Sequence, residues 1–515
     1  MWVGDIIKKL NKTEPQWVND GWTPSGEAHI GALRGLVIHD FIYKELLAQK
    51  FRARFAFFIN DFDPLDGLPG YLSEKEFNDQ MGKPLFLVSA PKGSGAKSFS
   101  EYFTDSFIQT LGKINVAPEF IFDSVIYKKG ELDSAIKTVL DNAEKIQQIY
   151  VRVAKSKKEK NWLPFAPICQ NCGKLGTTHA SKWDGKFVYY KCEENLVTWA
   201  SGCGHEGKVS PFRGTGKMPW KVEWAAKWAT YPITVEGAGK DHAASGGSRD
   251  VASAILREVF GKQPPANLAY EHFLLGGKKM SSSAGRGAQA KDMVELLPAE
   301  LIRFQAARNP NRAVEFNPEG PTVPTLFDEF DKAREAHLGK IDFPDLAKTY
   351  ILACDNKPLK TEYQMRFSKL VYLIQMPRVD ITTKAEEEKG ATLTTDEKKE
   401  LERRITYAKK WLNAYAPEEF KFEVQKELPK VKLSKAQKEY LKKITSIIAS
   451  KPKWQGEDLH HELHEIKNQM KINPKEAFRA IYEIFLGKPS GPQAGWFLAS
   501  LDQKFAIDRL KESLK

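Results

Sequence analysis

The sequence predicts an α/β fold: a Rossmann-like parallel sheet interrupted by a small cysteine-rich insertion and followed by an all-α C-terminal half. Three observations point there. Apolar strand runs alternate with helix-period segments up to about residue 330, the βαβα order of a parallel sheet wrapped by helices. Four of the five cysteines fall in a short aromatic stretch that breaks this alternation. Beyond about Thr325, segments such as LFDEFDKAREAHL and KEAFRAIYEIFLG keep a 3.6-residue period with few β-branched runs. The expected domains are 1–160 and 213–330 as two halves of one α/β unit, 161–212 as the insertion, and 331–515 as a helical region.

Taken in order, Trp17–Trp22 is expected as a strand, leading through the loop TPSGEAHIG into a helix over GALRGLVIHDFIYKELLAQK. RARFAFFI is a buried-strand run ending in the acidic turn NDFDP. A helix near Ser100–Leu111, a strand at Glu119–Phe122 and one long helix over Leu132–Lys155 follow. After the insertion, VEWAAKWAT reads as a helix, ITVEGAGKDHAASGG as strand into loop, and SRDVASAILREVFG as a helix. ANLAYEHFLLGG is expected as one strand entering the loop KKMSSSAGRG. The charge-dense stretch 384–404 is expected as a solvated connection into a helix.

At ~150 residues per domain, 515 residues correspond to about three domains. With 42% hydrophobic and 28% charged residues the chain is globular rather than disordered. No apolar run approaches the ~18 residues of a membrane span, and the N-terminus lacks a secretory h-region, so no membrane association is expected. Five cysteines exclude a disulfide scaffold, which places the protein in a reducing, cytoplasmic compartment. A monomer is the default expectation. The net charge of +12 favours a polyanionic partner, with nucleic acid leading and a merely basic enzyme as the bland alternative.

Two loops carry nucleotide chemistry. In Gly21–Gly31, Pro24 and Gly26 shape a strand-to-helix turn whose free N–H groups and helix dipole favour phosphate. His29 beside that phosphate can stabilise charge on phosphoryl oxygens. Gly276–Gly285 offers lysines followed by three hydroxyls in a glycine frame, suited to closing on a triphosphate and neutralising departing pyrophosphate. Either loop alone is also an ordinary capped helix start or polar loop. Together, about 250 residues apart on an α/β scaffold, they are far more specific.

Cys169 and Cys172 have zinc-knuckle spacing, and Cys192 and Cys203 supply the second half of a ribbon. Four thiolates would close a structural zinc site, with His205 or His179 as substitutes. A reactive CxxC is the alternative, without a thioredoxin-like context to support it. Lysines 430, 432, 435, 438, 442, 443, 451 and 453, with Tyr440 and Trp454 interleaved, can hold phosphates and stack splayed bases. For any single lysine, a solvated helix face is the simpler reading. His460, His461 and His464 read as a solvated or nucleic-acid-facing helix rather than a metal site.

At these residues the chain resembles the class I aminoacyl-tRNA synthetases. His29-Ile30-Gly31 and Lys279-Met280-Ser281-Ser282-Ser283 look like their two signature motifs. TPSGEAHIG, NDFDPLDGLP, GKDHAASGG, AYEHF and LFDEFDKAREAHLG are similar to the archaeal-type lysyl enzymes and span most of residues 20–340 in order. The resemblance implies a ligase that joins L-lysine to ATP as lysyl-adenylate and then to tRNA(Lys), using Mg2+, structural Zn2+ and a helical anticodon-binding half. It implies catalytic roles for His29, Gly31, Lys279, Ser281 and Ser283. It implies ATP binding by Pro24, Ser25, His29, Gly31, Gly239, Asp241, Gly246, Lys279 and Met280. Amino-acid binding would fall to Gly21, Thr23, Glu223, Trp224, His242 and Tyr270, and zinc to Cys169, Cys172, Cys192 and Cys203. A lysine pocket needs an acceptor for the ammonium and an apolar sleeve for its stem, although Trp224 and Trp228 are also spaced like core aromatics. Ala32 and Ala284 stand where relatives carry polar or lysine side chains. A glutamyl-type synthetase, or a tRNA-binding homologue without activation, remains the alternative.

Overall fold

The computed structural model describes residues 1–515 apart from 157, 160, 161, 276, 277, 280–288, 377 and 378, and apart from the side chains of Lys278 and Lys279. It divides into two compact units, 1–316 with 333–358, and 317–332 with 359–515. The expected boundary at 330/331 falls inside the helix Thr322–His337. Helical periodicity marks that helix but does not tell which core each of its turns joins. No described helix is long and apolar enough to cross a membrane.

The first unit is built around the strand Gln16–Trp22. It pairs in parallel with Ala53–Ile59, and that strand pairs in parallel with Glu119–Phe122. Ala56, Phe57, Phe58 and Ile59 are all buried, the continuous apolar run of a strand covered on both faces. On the opposite side of Gln16–Trp22, Val18 bridges Val235 and Val235 bridges Ala266, both in parallel. The chain therefore winds outward in one direction and then returns to the other side of its first strand. This is a topological switch point, where parallel sheets leave a crevice at their carboxyl ends. The helix Ala32–Ala48 is buried almost without interruption from Leu33 to Ile42. Helices Ala143–Ala154, Trp220–Thr230 and Ser248–Phe260 pack together in a second core.

Two expected elements are broken. The helix expected over Leu132–Lys155 is two helices, Asp133–Asp141 and Ala143–Ala154. At the break, the Asn142 side chain donates to Thr138 O at 2.8 Å, a local bond that competes with the helix ladder. The strand expected in ANLAYEHFLLGG is Ala269–Tyr270, paired with Ala238–Gly239, and Phe273–Leu275, paired with Val314–Glu315 and antiparallel with Lys278–Lys279. Between them Glu271 N–H turns away to Pro310 O at 2.8 Å, and buried Arg34 donates to His272 O, Asn309 O and Arg312 O.

The insertion has a two-stranded neck, Ala166–Pro167 against Gly216–Lys217. Beyond it lies an antiparallel meander of Thr178–Trp183, Val188–Cys192 and Glu206–Val209.

The second unit is helical. Arg404 is buried and joins Asp331, Glu400 and Met365 O. Phe327 stacks on Phe367 at 3.8 Å, and buried Trp411 donates to Pro318 O at 2.8 Å. The stretch 384–404 is not a plain connection. It contains most of the helix Ile381–Lys389, of which only Ala385 is buried, and then the capped start of Thr395–Ala414. A second correction concerns the lysine-rich stretch. Tyr440 and Trp454 are buried in the core, and Tyr440 OH donates to Leu463 O at 3.0 Å. Positions 440, 444 and 448 share the apolar face of Lys435–Ala449, so Tyr440 packs inward, and Trp454 joins the same core from the loop beyond. Of the eight lysines, all are exposed except half-buried Lys438.

The start of Thr395–Ala414 yields a pH prediction. Burial opposes ionisation of Glu397, but Lys389 and the N–H groups of Thr394 and Tyr363 outweigh it and hold its pKa near about 2 instead of 4.5. A depressed carboxylate contributes stability in full above its unfolded pKa and loses it as pH falls through the folded one. Glu397→Gln should therefore lower stability at pH 7 and flatten the loss seen in wild type between pH 4.5 and about 2, measured by urea unfolding at fixed pH values.

Candidate active site and metal centre

At the switch point lies a cavity of about 880 Å³. The strand ends contribute Asn19–Thr23, Phe58, Asn60 and Asp63, and the helix Trp220–Thr230 contributes Trp220, Glu223, Trp224 and Lys227. The 236–239 segment, His242 and Tyr270 add a further side, and the insertion adds Ala166, Leu175, Gly176, Thr178 and Trp199. All six residues expected to bind amino acid line this cavity: Gly21, Thr23, Glu223, Trp224, His242 and Tyr270. Ser25 and Gly239 of the expected ATP set also line it.

The remaining nucleotide residues are placed around it. The His29 ring folds over Gly31. A methyl at Gly31 would lie 2.7 Å from His29 Nδ1, so the glycine is required by this close approach rather than by its dihedral angle. His29 bridges Gln289, and Ala290 N–H donates to Ala28 O at 2.8 Å. The chain leaving the lysine-serine loop is thus pinned to the first loop. Lys278–Lys279 begin that loop in a hairpin with Leu274–Leu275. The Lys279 side chain and Met280, Ser281 and Ser283 lie outside the described residues. Asp241 pairs with His272 at 3.1 Å and Lys240 with Glu271 at 2.6 Å, which latches GKDH to AYEHF. Gly246 has φ +72° and donates to Asp250 at 2.9 Å, turning the chain into Ser248–Phe260.

Two buried lysines of this site escaped sequence reading. Lys217, at the insertion neck, pairs with Asp63 at 3.1 Å and with Glu223. Lys227 pairs with Asp123 at 2.7 Å, reaches Asn60 Oδ1 at 3.1 Å and lies 3.6 Å from Glu223. Burial alone would neutralise these groups, but the opposed charges outweigh it. Both lysines are held above their ordinary pKa and Glu223 below its own. Tyr127 OH also donates to Glu223 at 2.6 Å. Asp61, in the acidic turn NDFDP, is buried and accepts from Ser124 N–H and OH, so it braces the strand end.

The other carboxylates of the cavity are held differently. Glu236 accepts from the Trp224 and Trp228 indoles, each at 2.7 Å. Asp20 sits beside Gly35, where a methyl would lie 2.5 Å from both Asp20 Oδ2 and Tyr270 Oη. Burial keeps Tyr270 a protonated phenol. Behind them buried His39 accepts the Gly237 N–H at Nε2, 2.7 Å, and turns Nδ1 to Gly35 O and Asp20. A signal for the buried charges was present: Trp220, Glu223, Trp224, Lys227 and Trp228 fall on one helical stripe, which puts an ion pair among tryptophans.

The four cysteines converge. Cys169 and Cys203 sulfurs are 3.6 Å apart, Cys172 and Cys192 3.7 Å, and all four lie within 4.8 Å of one another. A tetrahedral ion with ~2.3 Å bonds to sulfur needs about 3.8 Å between ligands, so the set fits zinc. The Asn171 side chain and His205 N–H draw the Cys203 thiol down to about 6, while burial pushes Cys172 up to about 12. His179 instead pairs with Glu193 at 3.2 Å, and His205 packs near Tyr190. His460 and His464 pack against each other and against Phe478 and Trp496.

A parallel sheet with its cleft at the switch point, joined to these two loops, is a nucleotide-activating arrangement. The family model described as tRNA synthetases class I (K) matches residues 1–353. The chain belongs to this family of class I tRNA synthetases. It is 34% identical to the lysine–tRNA ligase of Thermoplasma acidophilum, covering 100% of this chain and 99% of that protein. It is also 34% identical to the lysine–tRNA ligase of Picrophilus torridus, with the same coverage. Among solved structures it is similar to a glutamate–tRNA ligase from Elizabethkingia meningosepticum, at 12% identity and TM-score 0.41, covering 97% of this chain and 99% of that one.

The cysteine quartet gives the prediction for this site. Protein purified without chelator should carry about one zinc per chain by atomic spectrometry. Cys172→Ser should lose it and unfold at lower temperature, because metal binding and folding of such a module are linked. Metal-free wild type of undiminished stability would refute the assignment.

Proposed function

We propose that this chain is a class I lysine–tRNA ligase. The carboxylate of lysine attacks the α-phosphorus of ATP, pyrophosphate leaves, and a hydroxyl of the terminal tRNA adenosine then takes the lysyl group from AMP. The observation that carries the amino-acid assignment is the charge of the cavity. Its lining carboxylates are Asp20, Asp63, Asp66, Glu223 and Glu236, against two lysines. Both lysines are already committed to Asp63, Asp123 and Glu223. Among the described residues no lining lysine or arginine is left for an anionic side chain, whereas Asp20 and Glu236 can receive the two ammonium groups of lysine. Glu223 is a less suitable acceptor, since Lys217, Lys227 and Tyr127 already occupy it. Trp220, Trp224 and Tyr270 offer aromatic faces to the stem and its cation.

His29, held on Gly31 at the start of Ala32–Ala48, faces the phosphates, and the second signature motif, with Lys279, Ser281 and Ser283, is assigned to the same phosphates. The cysteine quartet holds a structural zinc. Such an enzyme works in the cytoplasm, here as a monomer, and takes its Mg2+ with ATP. The helical unit binds the anticodon arm of tRNA(Lys) through its exposed lysines.

Amino-acid-dependent pyrophosphate exchange, run with and without tRNA, tests the assignment: lysine should support exchange and glutamate should not. His29→Ala should lower exchange about 10²–10³-fold, the cost of one charge-stabilising donor. Glu236→Gln should raise the lysine Kd about 10- to 100-fold, the range for a hydrogen bond to a charged group, with ATP affinity unchanged. Wild-type values for either variant would overturn the role given to that residue.

Binding of tRNA should weaken with salt as counterions are released. Replacing Lys430, Lys432, Lys435, Lys442 and Lys443 by Gln should flatten the slope of log K against log salt by about 0.7–0.9 for each phosphate no longer neutralised. An unchanged slope would move the tRNA surface elsewhere.

A further inference from the structure

The inserted module does more than adjoin the cavity. It contributes Leu175, Gly176, Thr178 and Trp199 to the lining. Trp199 lies in the loop 193–203, between the third and fourth cysteines. That loop is closed at its base by Cys203 N–H on Cys192 Sγ at 3.4 Å and by Gly202 N–H on Glu193 O at 3.1 Å. The indole rests on Gly176. A methyl there would lie 2.3 Å from Trp199 Cη2, so glycine is the residue that lets the ring settle. Gly176 in turn is fixed from both sides. Its own N–H and that of Leu175 donate to Gly82 O, at 3.0 and 2.6 Å. Its neighbour Thr177 meets Cys192 Sγ at 3.2 Å and accepts Glu193 N–H at 2.8 Å. The Cys192 sulfur, one of the four that would hold the ion, is thus tied both to the seat of the ring and to the end of the loop carrying it, while the ring also packs against the cluster of Phe77, Phe99 and Phe103.

We propose that Trp199 is a specificity-determining wall of the amino-acid pocket, positioned by the cysteine quartet, so that metal loading sets amino-acid affinity while leaving ATP affinity alone. This rests on the lysine reading of the cavity. Trp199 adds an aromatic face from the inserted module to those of Trp220 and Trp224, and a cation on an apolar stem gains from each such face. The nucleotide loops at His29 and Lys278–Lys279 belong to other segments and do not include this wall.

The test is equilibrium binding to the full chain by calorimetry, with zinc content measured on every sample. Wild type is first titrated with lysine, glutamate and ATP. If glutamate binds in place of lysine, the functional reading fails, and Trp199 is judged with glutamate. Trp199→Ala and Gly176→Ala should each keep one zinc per chain, raise the lysine Kd about 3- to 30-fold and leave the ATP Kd unchanged, the size expected for one cation–π face. Trp199→Phe should restore most of the affinity. Gly176→Ala tests the seat without touching the ring or a cysteine. If that variant fails to fold, Trp199→Ala and Trp199→Phe decide alone. Stripping the metal from wild type should raise the lysine Kd, and stripping it from Trp199→Ala should add little, the non-additivity of two changes acting through one interaction. Wild-type lysine affinity in Trp199→Ala, or an effect confined to tRNA binding, would overturn the proposal. So would full additivity of stripping and substitution.

Discussion

Lys217 and Lys227 are buried ammonium groups, and the geometry of the cleft follows from how they are paired. A buried charge without a partner costs several kcal/mol, so each lysine must draw carboxylates to itself. Lys217 brings the insertion neck to Asp63 at the end of one strand and to Glu223 on the helix. Lys227 brings the same helix to Asp123, just past the end of another strand. Three segments far apart in the chain are thereby tied at one place. The remaining constraint is charge balance: two lysines face three carboxylates, Asp63, Asp123 and Glu223, with burial pushing Asp123 up to about 8, so the cluster has no positive charge to spare for a ligand.

The rest of the cavity is negative, with Asp20, Asp66 and Glu236 on the lining and Arg249 behind the indoles offsetting part of the charge of Glu236. Glu236 is gripped by two indole N–H groups, donors that orient a carboxylate without cancelling its charge. Asp20 is set by the Gly21 N–H and by its fit beside Gly35, with Tyr270 filling the same space. His39 joins these pieces from behind, its Nε2 on Gly237 and its Nδ1 toward Gly35 O and Asp20. Preorganised acceptors of this kind need little rearrangement when a cation arrives, which is why they discriminate well.

Much of this was legible in the sequence, for physical reasons that also mark where reading stopped. Ala53–Ile59 is a bounded apolar run, and a strand buried on both faces has to look that way, whereas Gln16–Trp22 carries polar residues along its length and Glu119–Phe122 is only partly buried. The pairing of Val235 with Val18 and with Ala266 carries no such run, since each pairing is a single bridge. The cysteine quartet was readable from spacing because metal geometry is local. Lys217 was not, because a lysine reads as exposed unless its partners are known, and Asp63 comes from a distant part of the chain; for Lys227 the helical stripe was a signal, but Asp123 was not in view. Tyr440 and Trp454 run in the opposite direction: the lysines around them suggest a surface, while the helical phase of Tyr440 and the packing of the loop that carries Trp454 put both in the core. Trp199 lies in a loop without periodicity, and its place follows from Gly176 beneath it and from the distant cluster of Phe77, Phe99 and Phe103 that it packs against.

The same electrostatics separates the lysyl reading from the glutamyl one within a shared scaffold. Both need the two nucleotide loops, so those loops cannot distinguish them. A glutamate side chain entering this cleft would have to displace Asp63 or Glu223 from Lys217, or Asp123 from Lys227, and strand a buried carboxylate. It would also approach Glu236 and Asp20 as a like charge. Converting the pocket to an anion would therefore require more than exchanging one acceptor: a new cation would be needed at the position of Glu236, and the Trp224 and Trp228 indoles would then lose their acceptor. The specificity is written into the internal neutralisation of the cleft, and a single substitution at its surface leaves that balance intact.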